Sequence, residues 1–131
     1  MLVYCTYCSA DKHFLDARVP AIELYKSHRI AEVFNLAKDA GTAFLILSGK
    51  YGIIGPNERI EHYDHLLKSS EIELHSDKIA KQINSINISS IVFFMRSVDK
   101  DKNLQAYLDC ISRACEKATI KLEVRVSEFH D

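Results

Sequence analysis

Residues 42–52 read Thr-Ala-Phe-Leu-Ile-Leu-Ser-Gly-Lys-Tyr-Gly, and this stretch decides the fold class. Thr42–Leu47 is apolar without alternation and rich in β-prone side chains, the pattern of a strand buried on both faces. Such a strand needs cover above and below, which helices supply in a parallel α/β sheet. At Ser48-Gly49-Lys50 a hydroxyl, a glycine and a cation replace the apolar run.

The flanking segments repeat the signature. Leu2–Tyr7 and Ile91–Met95 are short, apolar runs that predict further buried strands, the second ending at Arg96. Between the first two strands, Ser9–Val19 is polar and predicts a loop. Pro20 suits the first turn of a helix. Ala21, Leu24, Tyr25, Ile30, Phe34 and Ala37 follow at helical spacing, with Gly41 as the stop and a break near Ser27–His28, where the stripe is weakest. Ser70 and Glu73 have capping-box spacing ahead of Ile72, His75, Ile79, Ile83 and Ile86, which share one helical face. Leu104, Tyr107, Leu108, Ile111, Cys115 and Ala118 form a third amphipathic stripe. Ile120–Val126 alternates apolar with charged residues, as an edge strand with one solvated face does. Strand and helix alternate throughout, which predicts right-handed crossovers. The expected architecture is a single α/β domain over residues 1–131, three-layered, with a mostly parallel sheet of about four strands and helices on both faces.

Composition agrees with that size. The chain has 131 residues, 47% hydrophobic and 27% charged, with a net charge of −1. This excludes disorder and the strongly basic balance of a nucleic-acid-coating protein, while leaving room for a local basic patch. No apolar run approaches the ~20 residues of a membrane span, and the first residues lack the basic region of a secretory signal. No membrane partner is expected. The cysteines Cys5, Cys8, Cys110 and Cys115 are expected as free thiols in a cytoplasmic protein.

Chemistry is expected beyond the carboxyl ends of the strands, where ligands of open parallel sheets collect. Those ends are Cys8-Ser9-Ala10-Asp11-Lys12, Ser48-Gly49-Lys50-Tyr51-Gly52 and Arg96-Ser97. Hydroxyls, cations and flexible backbone on one edge suit a phosphate or similar anion. The connection Ser48–Lys68 holds three of the four glycines, and a loop of that length inside a compact domain is usually functional. It carries His62-Tyr63-Asp64-His65, the densest titratable cluster, in which a carboxylate beside histidine could orient it for proton transfer. Its plainer reading is a polar loop anchored by Tyr63. Tyr25-Lys26-Ser27-His28-Arg29 could contact phosphate and stack a base, or form a solvated helix face.

No cofactor or metal site is expected. Cys5-x-x-Cys8 is followed by a loop rather than the helix start that lowers a redox thiol's pKa. Cys110 and Cys115, five apart on a helix, point roughly 140° apart and make a poor second pair for zinc. His62 and His65 could share a metal only on a helix, and no further ligands are evident.

The motifs together resemble a known group. Cys8-Ser9-x-x-Lys12, Pro20-Ala21-x-x-Leu24-Tyr25, Ile46-Leu47-Ser48-x-Lys50-Tyr51-Gly52-Ile53-Ile54-x-Pro56 and Ile60-x-x-Tyr63-Asp64-x-x-Leu67 are similar, in that order, to a small bacterial and phage domain related to the YaaA peroxide-stress proteins. The Cys-Ser-x-x-Lys and Ser-His-Arg elements also resemble those of a domain of archaeosine synthase. The likeness covers roughly the first half of the chain. It implies a site of Cys8, Ser9, Lys12, Ser48, Lys50, Tyr51, Gly52 and Asp64, and business with nucleic acids, nucleotides or modified bases.

The function expected is recognition of a nucleotide-like or nucleobase-containing ligand, extended to processing of its N-glycosidic bond. Asp64, Ser48 and Lys50 are the candidate catalytic residues. Asp64 would act as base or stabilise positive charge on the sugar. Cys8, Ser9, Lys12, Tyr51, Gly52, Tyr63 and Arg96 are the candidate ligand contacts, with Lys12 and Lys50 on phosphate and Tyr63 or Tyr51 against the base. The alternative is a non-catalytic nucleic-acid-binding module that uses Lys12, Lys26, Arg29, Lys50 and Arg96 on phosphates. The sequence sets no oligomeric state.

Overall fold

The computed structural model describes residues 1–14 and 17–129; the loop expected over Ser9–Val19 falls outside the described residues at Leu15 and Asp16. In chain order the elements are β1 (Leu2–Tyr7), β2 (Val19–Pro20), α1 (Ala21–Leu24), α2 (His28–Ala40), β3 (Ala43–Ser48), β4 (Gly52–Ile54), β5 (Arg59–Ile60), α3 (Ile72–Ser85), β6 (Ser90–Met95), α4 (Leu104–Ala118) and β7 (Lys121–Val126). The main sheet has the order β4-β3-β1-β6-β7. β3, β1, β6 and β7 run parallel to one another, while β4 pairs antiparallel with β3. Helices cover both faces. α2 lies against β1 and β3, and α3 and α4 pack on each other across the opposite side.

The helical expectations hold closely. Ser27 breaks the first helical stretch and caps α2, its Oγ accepting from Ile30 N–H at 3.2 Å. Gly41 ends that helix at φ 66, a conformation that carries little strain without a Cβ. α4 spans Leu104–Ala118, and β7 is the edge strand. The core joins both layers: Phe93, Ile79 and Ile111 are fully buried, each contributing about 1.5–3 kcal/mol by leaving water.

Four details correct the sequence reading. The connection Ser48–Lys68 is not bare loop. It folds back as β4, the fifth strand of the sheet, and continues into β5, which pairs with β2. Pro20 closes β2 and precedes α1 rather than opening its first turn. The reach-back ahead of α3 is made by Glu71, whose Oε1 accepts from Lys68 N–H at 2.9 Å, not by Glu73 on Ser70. Ile86 lies past the end of α3 and is 43% exposed.

The β4 edge is closed by a side chain. Gln82 on α3 accepts from Ile53 N–H at 2.9 Å and donates to the Tyr51 carbonyl at 3.1 Å. Gly52 permits this approach, because a Cβ there would meet Gln82 Oε1 at 2.2 Å.

Candidate functional site

The chain leaves β1 for β3 on one side and later returns to place β6 on the other, so β1 and β6 flank the point where strand order reverses. Crevices form there beyond the carboxyl ends because the connections diverge to opposite faces. A cavity of about 350 Å³ lies at that point, between Tyr7-Cys8-Ser9 after β1 and Arg96 after β6. Lys12, Lys26, Arg29 and Arg96 line it, against the carboxylates Asp11, Asp64 and Asp101. The buried rings of Tyr7 and Tyr107 form an aromatic wall, their centroids 6.2 Å apart.

Arg29 is built into this wall. It is fully buried on the first turn of α2 and donates from Nη1 to Thr6 Oγ1 at 2.7 Å and to the Tyr7 carbonyl at 2.6 Å. Nη2 reaches the Cys8 carbonyl at 3.3 Å. The segment Tyr25–Arg29 is therefore no solvated helix face: Tyr25 and Arg29 are buried, and Ser27 is a cap. Cys8 is buried at the cavity wall with Sγ 3.7 Å from Tyr107 Oη. The Tyr107 hydroxyl also accepts from Leu67 N–H at 3.2 Å.

A shallower recess of about 490 Å³ adjoins the cavity and shares Asp64 and His65 with it. Lys50, Tyr63, Glu71 and His75 complete much of its lining. His65 Nε2 lies 2.9 Å from Glu71 Oε2. A carboxylate only accepts, so Nε2 carries the proton in this pair and Nδ1 is left as a lone pair when the ring is neutral. The orienting carboxylate expected at Asp64 is thus supplied by Glu71. The Lys68 N–H, and next the His65 ring, hold the Glu71 carboxyl below its ordinary value. His75 donates from Nε2 to the Ser48 carbonyl at 2.8 Å, and burial pushes its pKa down. Residues 61–68 are not helical, which removes the condition for His62 and His65 to share a metal. His62 instead lies against the Phe14 ring.

Beneath the recess runs a chain of hydroxyls. Ser48 Oγ accepts from Lys50 N–H and Tyr51 N–H and donates to Tyr63 Oη at 2.9 Å, and Tyr63 Oη lies 2.6 Å from Tyr25 Oη. Burial raises the pKa of both phenols well above the ordinary value. Lys12 Nζ stands 4.6 Å from the centroid of the Tyr63 ring, close enough for a cation–π contact.

Of the candidate residues, Cys8, Ser9, Lys12, Asp64 and Arg96 meet at the cavity. Lys50 and Tyr63 line the adjoining recess. Ser48, Tyr51 and Gly52 border neither space; they form the turn that supports Tyr63 and the β4 edge. Sequence reasoning missed Tyr7, Tyr107 and Glu71. The first two look like core positions by spacing, and Glu71 had no signal beyond its place near a helix start.

Fold and cavity define an open α/β-sheet domain with a cationic, aromatic-walled crevice at the reversal of strand order. The chain belongs to a family of unknown function, DUF6884, whose pattern matches residues 3–129. No curated protein and no solved structure matches it. No helix among the described residues is long and apolar enough to cross a membrane.

Proposed function

We propose that the cavity binds a nucleotide-like, anionic ligand and that Asp64 assists cleavage of its N-glycosidic bond. The observation that carries this reading is the meeting of Lys12 and Arg96 in one crevice, over the Tyr7–Tyr107 wall that the buried Arg29 braces. Lys12 and Arg96 offer charge-assisted bonds to phosphate, and the edges of the buried Tyr7 and Tyr107 rings give a base an apolar wall to pack against. The likeness of the segments from Cys8 to Asp64 to YaaA-related domains adds support. Water adds to the anomeric carbon, the carbon–nitrogen bond breaks with its electron pair going to the base, and the water's proton passes to Asp64. The same carboxylate stabilises positive charge developing on the sugar. Lys50, across the recess, holds the anionic end of a longer ligand, while Ser48 positions Tyr63 from below.

Thermal-shift measurements with nucleoside monophosphates, nucleosides and pentose phosphates test the reading. A binder raises the midpoint by mass action; Lys12→Ala and Arg96→Ala abolish that shift. Asp64→Asn retains the shift but releases no free base by chromatography. No shift with any compound, or shifts unaffected by both variants, overturns the proposal. The alternative, a non-catalytic nucleic-acid-binding module, is favoured by the exposed Lys26 beside half-buried Lys12. It requires oligonucleotide affinity that falls steeply with salt and no response to mononucleotides.

A further inference from the structure

The chain closes one edge of its sheet and leaves the other open. At β4, three residues long, Gln82 takes up the outward Ile53 N–H and Tyr51 carbonyl. At β7, six residues run in unbroken register with β6, and no strand among the described residues pairs with the other side. Native edges are commonly blunted by proline, a bulge or charged side chains, which repel a second strand only where it cannot match their signs. Lys121–Val126 has neither proline nor bulge, and its charges alternate in sign. On one face Val124 and Val126 are 38% and 60% exposed. On the other, Glu123 and Arg125 pair with each other, with the Arg125 guanidinium 5.7 Å from the Phe94 ring centroid.

We propose that β7 pairs antiparallel with β7 of a second copy, around a two-fold axis at Val124. Directly opposed residues of an antiparallel pair share a face, so the axis must pass at a residue and the choices are few. An axis at Glu123 opposes two carboxylates and sets Lys121 against Arg125, which is repulsive. An axis at Leu122 matches Lys121 with Glu123. However, it leaves Val126 uncovered and draws in Thr119, which sits at φ 57 where α4 ends. An axis at Val124 places Glu123 opposite Arg125 of the second copy, twice by symmetry. Val124 then meets its counterpart, and Leu122 meets Val126. With the intrachain pairs, the four charges alternate around a closed square. The product is a continuous ten-stranded sheet whose outer edges are both β4, each already closed by Gln82. Assembly therefore stops at two copies.

Analytical ultracentrifugation of the full chain tests this. The wild type is expected to reach twice its 14.9 kDa mass with rising concentration. Glu123→Arg and Arg125→Glu each weaken the dimer about tenfold or more, since two attractive cross-strand pairs become repulsive. The double variant restores it, and Lys121→Glu leaves it unchanged. Val126→Glu, at an exposed position that folding tolerates, also weakens it, and circular dichroism verifies the fold of each variant. A wild type that stays monomeric, a dimer indifferent to both single charge reversals, or a Lys121→Glu loss equal to that of Arg125→Glu overturns the proposal.

Discussion

The Arg29 guanidinium stacks on the Tyr7 ring at 3.5 Å from its centroid while Nη1 bonds the carbonyl of that same residue at 2.6 Å. One side chain on α2 thereby fixes both backbone and ring at the end of β1, where the cavity begins. Thr6 extends the tie across the sheet, donating to the Phe94 carbonyl of β6 at 2.8 Å. The floor of the crevice is held from both flanking strands before any ligand arrives.

Removing that tie should cost stability as well as shape. Arg29→Ala is expected to lose about 3 kcal/mol, because bonds from a buried charge disappear and their acceptors stay buried. Arg29→Lys restores the charge without the planar fork and recovers only part of the loss. Urea denaturation checks this as a lowered midpoint at unchanged slope.

The buried phenols set an alkaline limit. Tyr25, Tyr63 and Tyr107 are all raised above 10, chiefly by burial and then by the neighbouring Cys8. Each stays protonated in the folded chain while the unfolded chain releases its proton. Their contribution is therefore complete below pH 10 and is lost as pH rises beyond it. The thermal midpoint should fall from about pH 10 upward, and tyrosinate absorbance from these three should appear only with unfolding. Tyr63→Phe breaks the link from Ser48 to Tyr25, costs about 1–2 kcal/mol and makes the alkaline slope shallower.

Thiol labelling should be ordered. Burial pushes Cys110 and Cys115 up to about 12 and raises Cys5 further, so these three stay unreactive at neutral pH in the native state. Cys8 is the thiol on the cavity wall. A small disulfide reagent is expected to modify it first, and Cys8→Ser to remove that phase. A cavity ligand should slow the phase without altering the three labelled on unfolding. Equal rates at all four would contradict the arrangement.

Two glycines at positive φ separate backbone strain from close packing. Gly41 has φ 66 and open space around a would-be Cβ, so Gly41→Ala should cost about 1 kcal/mol from conformation alone. Gly52 has φ 83 and Gln82 Oε1 within 2.2 Å of that position. Gly52→Ala should cost clearly more, and Gln82→Ala made in the same chain should remove the excess. A double-mutant cycle of unfolding free energies measures it.

Much of the fold was legible because its signals are local. The unbroken apolar run at 42–47, the stripe from Leu104 to Ala118 and the alternation at 120–126 each state how many faces are buried, and β3, α4 and β7 follow. β4 was not legible. Gly-Ile-Ile is three residues inside a glycine-rich connection, and it becomes a strand through pairing with β3 and the reach of Gln82 from a helix some thirty residues away. The site divided the same way. Cys8, Ser9, Lys12 and Arg96 are read from strand ends, because a parallel sheet gathers its carboxyl ends on one edge. Tyr7, Tyr107 and Glu71 occupy ordinary strand, helix and turn positions.

The sequence by itself determined the alternation of strands and helices and the edge on which its polar loops gather, since hydrophobic period and turn residues act within a few positions of each other. Tertiary structure alone decided which side chains face one another. It brought Arg29 under Tyr7, set Glu71 rather than Asp64 against His65, and sank Ser48 beneath Tyr63. Those pairings depend on strand order and helix placement, which are settled by burying the whole core at once.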